Sequence, residues 1–152
     1  MPVTEDVETR LRVLEAKEEI RNLLQEYRRT LDVRDMRAFS ALFATDGTWT
    51  GASGEATGPE GIYTMLTAVL PENPSWPGPT LWHLITDPSI TVDGDRATAR
   101  SMWMHVRRGE EDAPLLPTLG LYEDELVVEE GSWRFRRRAV TRLVPRDPSA
   151  EV

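Results

Sequence analysis

The sequence predicts an α+β fold, with helices packed on one face of a curved antiparallel sheet. Three observations point there. Up to Leu70 the apolar residues recur every three to four positions, as helices require, and from Leu81 onward they alternate, as strands require. Between the two lies "PENPSWPGP", Pro71 to Pro79, whose four prolines fit neither. Helices grouped ahead of strands, rather than interleaved with them, argue against a parallel sheet with crossover helices.

The first element is a long amphipathic helix. Val7, Leu11, Leu14, Ile20, Leu23, Leu24, Tyr27 and Leu31 fall along one stripe of about seven turns, opposite Glu15, Lys17, Glu18, Glu19 and Arg21. It is predicted to end near Asp32-Val33. Asp35 then suits the N-cap of a shorter helix, with Phe39, Leu42 and Phe43 as its buried face. A short strand over Thr48 to Thr50 precedes the Gly-rich turn "GASGEATG", and Pro59 suits the first position of a third helix running to about Leu70. Past the prolines, Leu81 to Val92 reads as a strand, Asp93-Gly94 as a hairpin turn and Arg96 to Arg108 as a second strand. "GEEDAPLLP" reads as a loop, and Leu119 to Glu129 with Ser132 to Val144 as another hairpin. One domain over residues 1–145 and a polar tail over 146–152 account for the chain. A curved sheet roofed by a long helix encloses a cone-shaped cavity, a natural small-molecule pocket.

Composition narrows the possible functions. The 152 residues suffice for one core, and the net charge is −8. The densest basic cluster, "RFRRR", reads as strand, so the positive surface that phosphate backbones require is missing and nucleic acid is not an expected partner. With no cysteine, disulfides, thiolate catalysis and cysteine-ligated zinc are excluded. No apolar run approaches the roughly 20 residues of a membrane span, and the acidic start "MPVTEDVETR" has no signal-peptide core, so no membrane contact and a cytoplasmic location are expected.

The chain has two histidines, and both sit in apolar runs: His83 in "LWHLI" and His105 in "MWMHV". On the second long strand, Ala97, Ala99, Ser101, Trp103 and His105 share a face, small at one end and carrying Trp and His at the other, as a pocket wall would. The opposite face, with Arg100, Met102 and Met104, suits a subunit contact. Asp32 falls at the C-terminal end of the first helix, where the helix dipole disfavours a negative charge; a charge-assisted hydrogen bond to a histidine would hold it there. Tyr27, one turn earlier, puts its ring inside, so its hydroxyl needs a partner. By spacing alone the structural reading leads for each: a satisfied core histidine, a capping or surface aspartate, a packed tyrosine, a solvated Arg142.

A resemblance bears on that choice. "KEEIRNLLQEYRRTLDVRDMRAFSALFATDGTW", "WHLITDPSITVDGDRATARSMW" and "GLYEDELVVEEGSWRFRRR" resemble the SnoaL-like branch of the nuclear transport factor 2-like (NTF2-like) superfamily, from about Glu15 to Val144. The resemblance implies an NTF2-like cone: a curved antiparallel sheet against a long N-terminal helix and two shorter ones. Within the branch, the pattern is similar to bile acid 7α-dehydratase and scytalone dehydratase. That similarity implies catalytic roles for Tyr27, Asp32 and His83, and places Arg142 where the former has an active-site arginine. His105 departs from the bile acid enzyme, which has Asp on this strand, while scytalone dehydratase has a second His nearby. Tyr122 stands where the latter has a pocket asparagine.

The implied function is a cofactor-independent, dehydratase-type lyase acting on a small, largely apolar carbonyl compound. Its base would be His83, oriented by Asp32, with Tyr27 or Tyr122 on the enolate oxygen, His105 as a second acid and Arg142 on a carboxylate or paired with Asp32. Trp49, Trp82, Trp103, Trp76 and Met65 are candidate walls, and Pro71 to Pro79 a lid at the mouth. No cofactor is implied. Two His and one Asp could make an iron triad, but the similar enzymes work without metal. A polyketide-type cyclase, a double-bond isomerase and a non-catalytic ligand-binding module remain as alternatives on the same fold. A homo-oligomer is expected, dimer or trimer.

Overall fold

The computed structural model describes residues 6–70, 72 and 78–146. Helix α1 (Val7–Asp32) lays Ile20, Leu23, Leu24, Tyr27 and Leu31 onto the sheet. The stripe predicted to start at Val7 is buried only from Ile20 on. Val7, Leu11 and Leu14 are 73%, 52% and 64% exposed, because the first turns of α1 overhang the sheet. Helix α2 (Met36–Ser40) starts at Asp35, whose carboxylate accepts the Ala38 N–H at 3.1 Å and so caps it as predicted. Helix α3 (Gly58–Thr67) carries Pro59 in its first turn and buries Ile62 and Leu66.

The strands are β1 (Phe43–Gly51), β2 (Gly54–Thr57), β3 (Leu81–Ile85), β4 (Ser89–Asp93), β5 (Arg96–Arg108), β6 (Pro114–Glu129) and β7 (Ser132–Val144). They form one sheet in the order β2-β1-β7-β6-β5-β3, with β4 also paired to β5. Every pairing is antiparallel except β1 with β7, which is parallel.

Four boundaries differ from the sequence reading. Phe43 begins β1 instead of ending α2, and β1 is far longer than Thr48 to Thr50. The Gly-rich turn contains a short edge strand, β2, reached through Gly54 at φ +116°. The strand expected over Leu81 to Val92 breaks at Thr86–Pro88, since Pro88 has no N–H to give; Thr86 bridges the break by donating to Met102 O at 2.9 Å and accepting the Met102 N–H at 2.9 Å. The loop expected before Leu119 is mostly strand, because β6 starts at Pro114. The proposed lid, Trp76 included, lies outside the described residues except for Glu72, Gly78 and Pro79, as does the tail after Arg146.

The core sits between α1 and the concave face, where Tyr27, Phe39, Phe43 and Phe135 pack ring to ring at centroid distances of 4.7–6.5 Å. On β5 the buried residues are Ala97, Ala99, Ser101 and Trp103, the face predicted from alternation. Small residues there leave room beneath the helix, and Gly120 on β6 leaves room for an indole. A Cβ at Gly120 would meet the Trp103 ring at 2.3 Å and Thr141 O at 2.1 Å, so no other residue fits without a shift.

Candidate functional site

A cavity of about 660 Å³ lies between the concave face and the helices, open on one side. Its walls include Tyr27 and Leu31 from α1, Trp49 from β1, His83 from β3, Trp103 and His105 from β5 and Tyr122 from β6. Arg142 of β7 lies at its border, and its residue is exposed overall. A smaller pouch of about 130 Å³ is bordered by Asp32, Leu81, His83 and His105, so the two histidines front both spaces.

The sheet register explains why the histidines meet. His83 on β3 is directly opposite His105 on β5, and His105 is directly opposite Thr118 on β6. Their Nε2 atoms are 2.9 Å apart, with the rings nearly perpendicular at 84°. His105 Nδ1 is 3.2 Å from Thr118 Oγ1, and its ring packs on Trp103 at 4.7 Å. The last turn of α1 delivers Asp32 to the other side of His83. Asp32 Oδ1 is 2.6 Å from His83 Nδ1, and the carboxylate also accepts the His83 backbone N–H at 3.2 and 3.3 Å. Arg28 Nη1 stands 3.4 Å from Oδ2. These donors offset the unfavourable end of the helix dipole, which amounts to about 0.3–1 kcal/mol.

The chain of contacts dictates where the protons are. A carboxylate only accepts, so His83 Nδ1 carries hydrogen and donates to Asp32. In neutral His83, Nε2 is then the acceptor, and His105 Nε2 must donate to it. His105 Nδ1 is left as an acceptor, which the Thr118 hydroxyl fills. Burial, followed by the neighbouring His83, lowers the pKa of His105 to about 4. At neutral pH roughly one His105 in a thousand is then protonated.

Tyr27 is fully buried on the other side of the cavity, and its oxygen accepts Trp49 Nε1–H at 3.0 Å. With that lone pair used, the phenolic proton is available to a ligand. Burial pushes the Tyr27 hydroxyl up from its ordinary pKa and pushes Tyr122 well above it, so both are neutral donors.

Of the residues nominated from sequence, Asp32, His83 and His105 form one hydrogen-bonded chain, and Tyr27, Trp49, Trp103, Tyr122 and Arg142 share the cavity with the two histidines. Trp82 does not join them. Strand alternation turns it to the outer face once His83 points inward. Met65 packs against the core instead of lining the cavity. Sequence reasoning missed three features: Thr118 as the partner of His105, Trp49 as the partner of Tyr27, and a fully buried Arg138–Asp124 pair behind the tyrosines. Among the described residues no group of three or more His, Asp or Glu side chains is placed to hold a metal ion. Likewise no helix of the described residues is long and apolar enough to cross a membrane.

Comparison with known proteins gives the fold its family. Residues 12–139 match the SnoaL-like domain family. An NTF2-like protein of cystatin-like fold from Novosphingobium aromaticivorans is 25% identical, with a TM-score of 0.76 over 97% of this chain and 96% of that one. A scytalone dehydratase-like protein from the same organism is 23% identical, with a TM-score of 0.70 over 90% and 89%. ActVI-ORFA from Streptomyces coelicolor is 22% identical, with a TM-score of 0.68 over 82% and 95%. No match was found among curated proteins.

Proposed function

The chain belongs to the SnoaL-like domain family, and from that premise we propose that it is a cofactor-independent lyase that removes water from a small, largely apolar carbonyl compound. The observation that carries this reading is the 2.6 Å contact of Asp32 with His83 at the wall of a cavity of about 660 Å³. A ligand carrier has no use for a carboxylate that fixes an imidazole tautomer and leaves the other nitrogen basic, whereas proton abstraction needs both.

The steps follow from the proton positions. A β-hydroxy carbonyl substrate displaces His105 from His83 Nε2, and that lone pair takes the α-proton. Asp32 stabilises the imidazolium that forms. Tyr27 donates its hydrogen bond to the enolate oxygen, with Tyr122 alongside. The C–O bond to the β-hydroxyl then breaks as the double bond forms, and the proton on His83 Nε2 leaves with the hydroxyl as water. His105 is a poor reservoir for that proton, because its pKa near 4 leaves it neutral. It serves as a neutral N–H donor that polarises the departing oxygen. Its Nε2 lies 2.9 Å from the base nitrogen, so abstraction and departure take place on one face of the substrate, a syn elimination. Aromatic walls at Trp49, Trp103 and Tyr122 suit a flat, ring-containing skeleton, and Arg142 at the border suits a carboxylate or oxyanion on it.

The test is incubation with a panel of cyclic and aryl β-hydroxy ketones, followed by mass spectrometry. Loss of one water with the wild type and not with His83→Ala supports the reading. Turnover at constant mass moves it to an isomerase or cyclase. Ligand binding with no turnover of any panel member, unchanged in His83→Ala, leaves only the carrier.

The outer sheet face belongs to the same proposal. Leu84, Met104 and Leu119 lie side by side across β3, β5 and β6, next to the exposed Met102 and Val144. An apolar strip of this kind suits self-association into a dimer or trimer. A monodisperse monomer at micromolar concentration by light scattering would rule it out.

A further inference from the structure

Behind the cavity lies a charged group that the elimination does not use directly. Arg138 on β7 is wholly buried. Its Nε and Nη2 donate to Asp124 Oδ1 and Oδ2, each at 2.7 Å, and both side chains are sealed from solvent. The guanidinium carbon sits 4.1 Å from the Tyr27 ring, 3.9 Å from the Tyr122 ring and 4.4 Å from the Phe135 ring. The two tyrosines, 5.6 Å apart and set edge to face, are those that line the cavity. Among the described residues Arg138 Nη1 has no partner within hydrogen-bond distance.

Such a pair is hard to explain as a stabilising device. Apolar residues of similar volume usually serve a core as well or better, and a buried donor without a partner makes the case worse. Its placement is explicable as chemistry. Resting on the proposed elimination, we infer that Arg138, anchored by Asp124, is a positioning residue that fixes Tyr27 and Tyr122 edge to face and lends their hydroxyls a positive charge, strengthening them as donors to a substrate oxyanion. The orientation favours the cation: for both phenols burial is the largest influence, and Arg138 opposes it more strongly than Asp124 reinforces it. For Arg138 itself, burial favours the neutral form, but Asp124 more than offsets this and holds the group above the ordinary arginine range.

The probe is 4-nitrophenol, whose phenolate is yellow and mimics an enolate on a ring. Its ionisation when bound is followed by absorbance across pH, and its affinity is compared with that of 4-nitroanisole, which cannot ionise. The wild type is expected to prefer the phenolate, and Tyr27→Phe to weaken that preference. The double variant Asp124→Leu/Arg138→Met removes both charges at similar volume. It is expected to lose about ten-fold of the phenolate preference, a shift of about one pH unit in the bound probe, while 4-nitroanisole affinity and Tm hold. A folded double variant with the wild-type preference overturns the role of Arg138. If the double variant does not fold, Asp124→Asn/Arg138→Gln decides: it removes both charges and keeps a hydrogen-bonding pair, so a similar loss of preference is expected and no loss overturns the inference. A wild type that binds phenol and phenolate alike, or neither, overturns this inference, while the elimination beneath it stands or falls separately on loss of water from the hydroxy ketone panel. A preference that Tyr27→Phe reduces and the charge variants do not overturns this inference alone.

Discussion

Two charged networks flank the cavity, and they are built differently. Asp32–His83–His105–Thr118 is half-buried and crosses from α1 through three strands, with each imidazole nitrogen engaged by a neighbour. Arg138–Asp124 is sealed, joins two adjacent strands, and leaves one nitrogen without a hydrogen-bond partner among the described residues. Burial alone would rank the second as the functional site. Access to the cavity favours the first, since a group that must exchange protons with a ligand has to touch the space the ligand occupies. The sealed pair can act only through the rings stacked on it.

The contrast can be broken by mutation. The largest effect is expected from His83→Ala, which should lower kcat/KM for dehydration by on the order of 10²–10⁴ with little change in Tm. Asp32→Asn should approach that loss, and the double variant should be little worse than the worse single one, because one proton transfer is disabled in each; additive losses in steady-state kinetics would show that the two act separately. Next is Asp124→Asn, which strands a buried guanidinium and should lower unfolding free energy by about 3–5 kcal/mol in urea titrations. Asp32→Asn, which can still accept the His83 backbone N–H, should cost only about 1 kcal/mol in the same assay. One network would thus fail by activity and the other by stability, and a swap of these outcomes would reverse the assignment.

A subtler difference is expected on the pH axis. Folded His105 titrates near 4, below its ordinary 6.5, so between these values the unfolded chain binds more protons than the folded one. Stability therefore falls as pH drops from about 6.5 towards 4. His105→Gln should flatten that part of the profile relative to the wild type, as read by Tm against pH. The smallest effect should come from Trp49→Phe, which removes the indole donor to Tyr27 and should cost about 0.5–1.5 kcal/mol of stability. It should also raise KM more than it lowers kcat, if the phenol is slightly misaligned.

The residues of the first network could be placed on their elements from the sequence because those elements are regular, while the pairing of Asp32 with His83 came from the family resemblance. Tyr27 and Leu31 follow helical spacing, Asp32 ends the helix, and the inward face of β5 follows strict alternation as far as His105. The same rule excludes Trp82, which cannot share a face with His83 on an unbroken strand. The second network was hidden by an irregularity. Phe135 pairs with Leu126, yet Arg137 pairs with Glu125, so Arg136 is an extra residue and the parity of β7 flips after it. Straight alternation from Trp133 and Phe135 would put Arg137 inside; the bulge puts Arg138 there, and Val140 and Arg142 after it. No local feature of "RFRRR" announces this. Thr118 escaped for a related reason, since it lies in a stretch whose prolines read as loop.

The parallel pairing of β1 with β7 has a bearing on how the chain reaches this state. Every other neighbour in the sheet is joined through nearby hairpins or a modest loop, whereas Phe43 must find Phe135 after nearly the whole sheet has been made. Closing so long a loop carries an entropic cost that local pairings avoid, and contacts of high sequence separation slow folding. The β3–β7 meander can therefore assemble first, with β1, β2 and α3 docking onto it in a later step. On a ribosome the N-terminal helix and first hairpin would emerge early and wait, their apolar faces uncovered, for the last strand to arrive. The Trp49 donor to Tyr27 lies on β1, so this contact waits on that late closure, whereas Asp32 and His83 are held by α1 and β3 and do not need β1 in place.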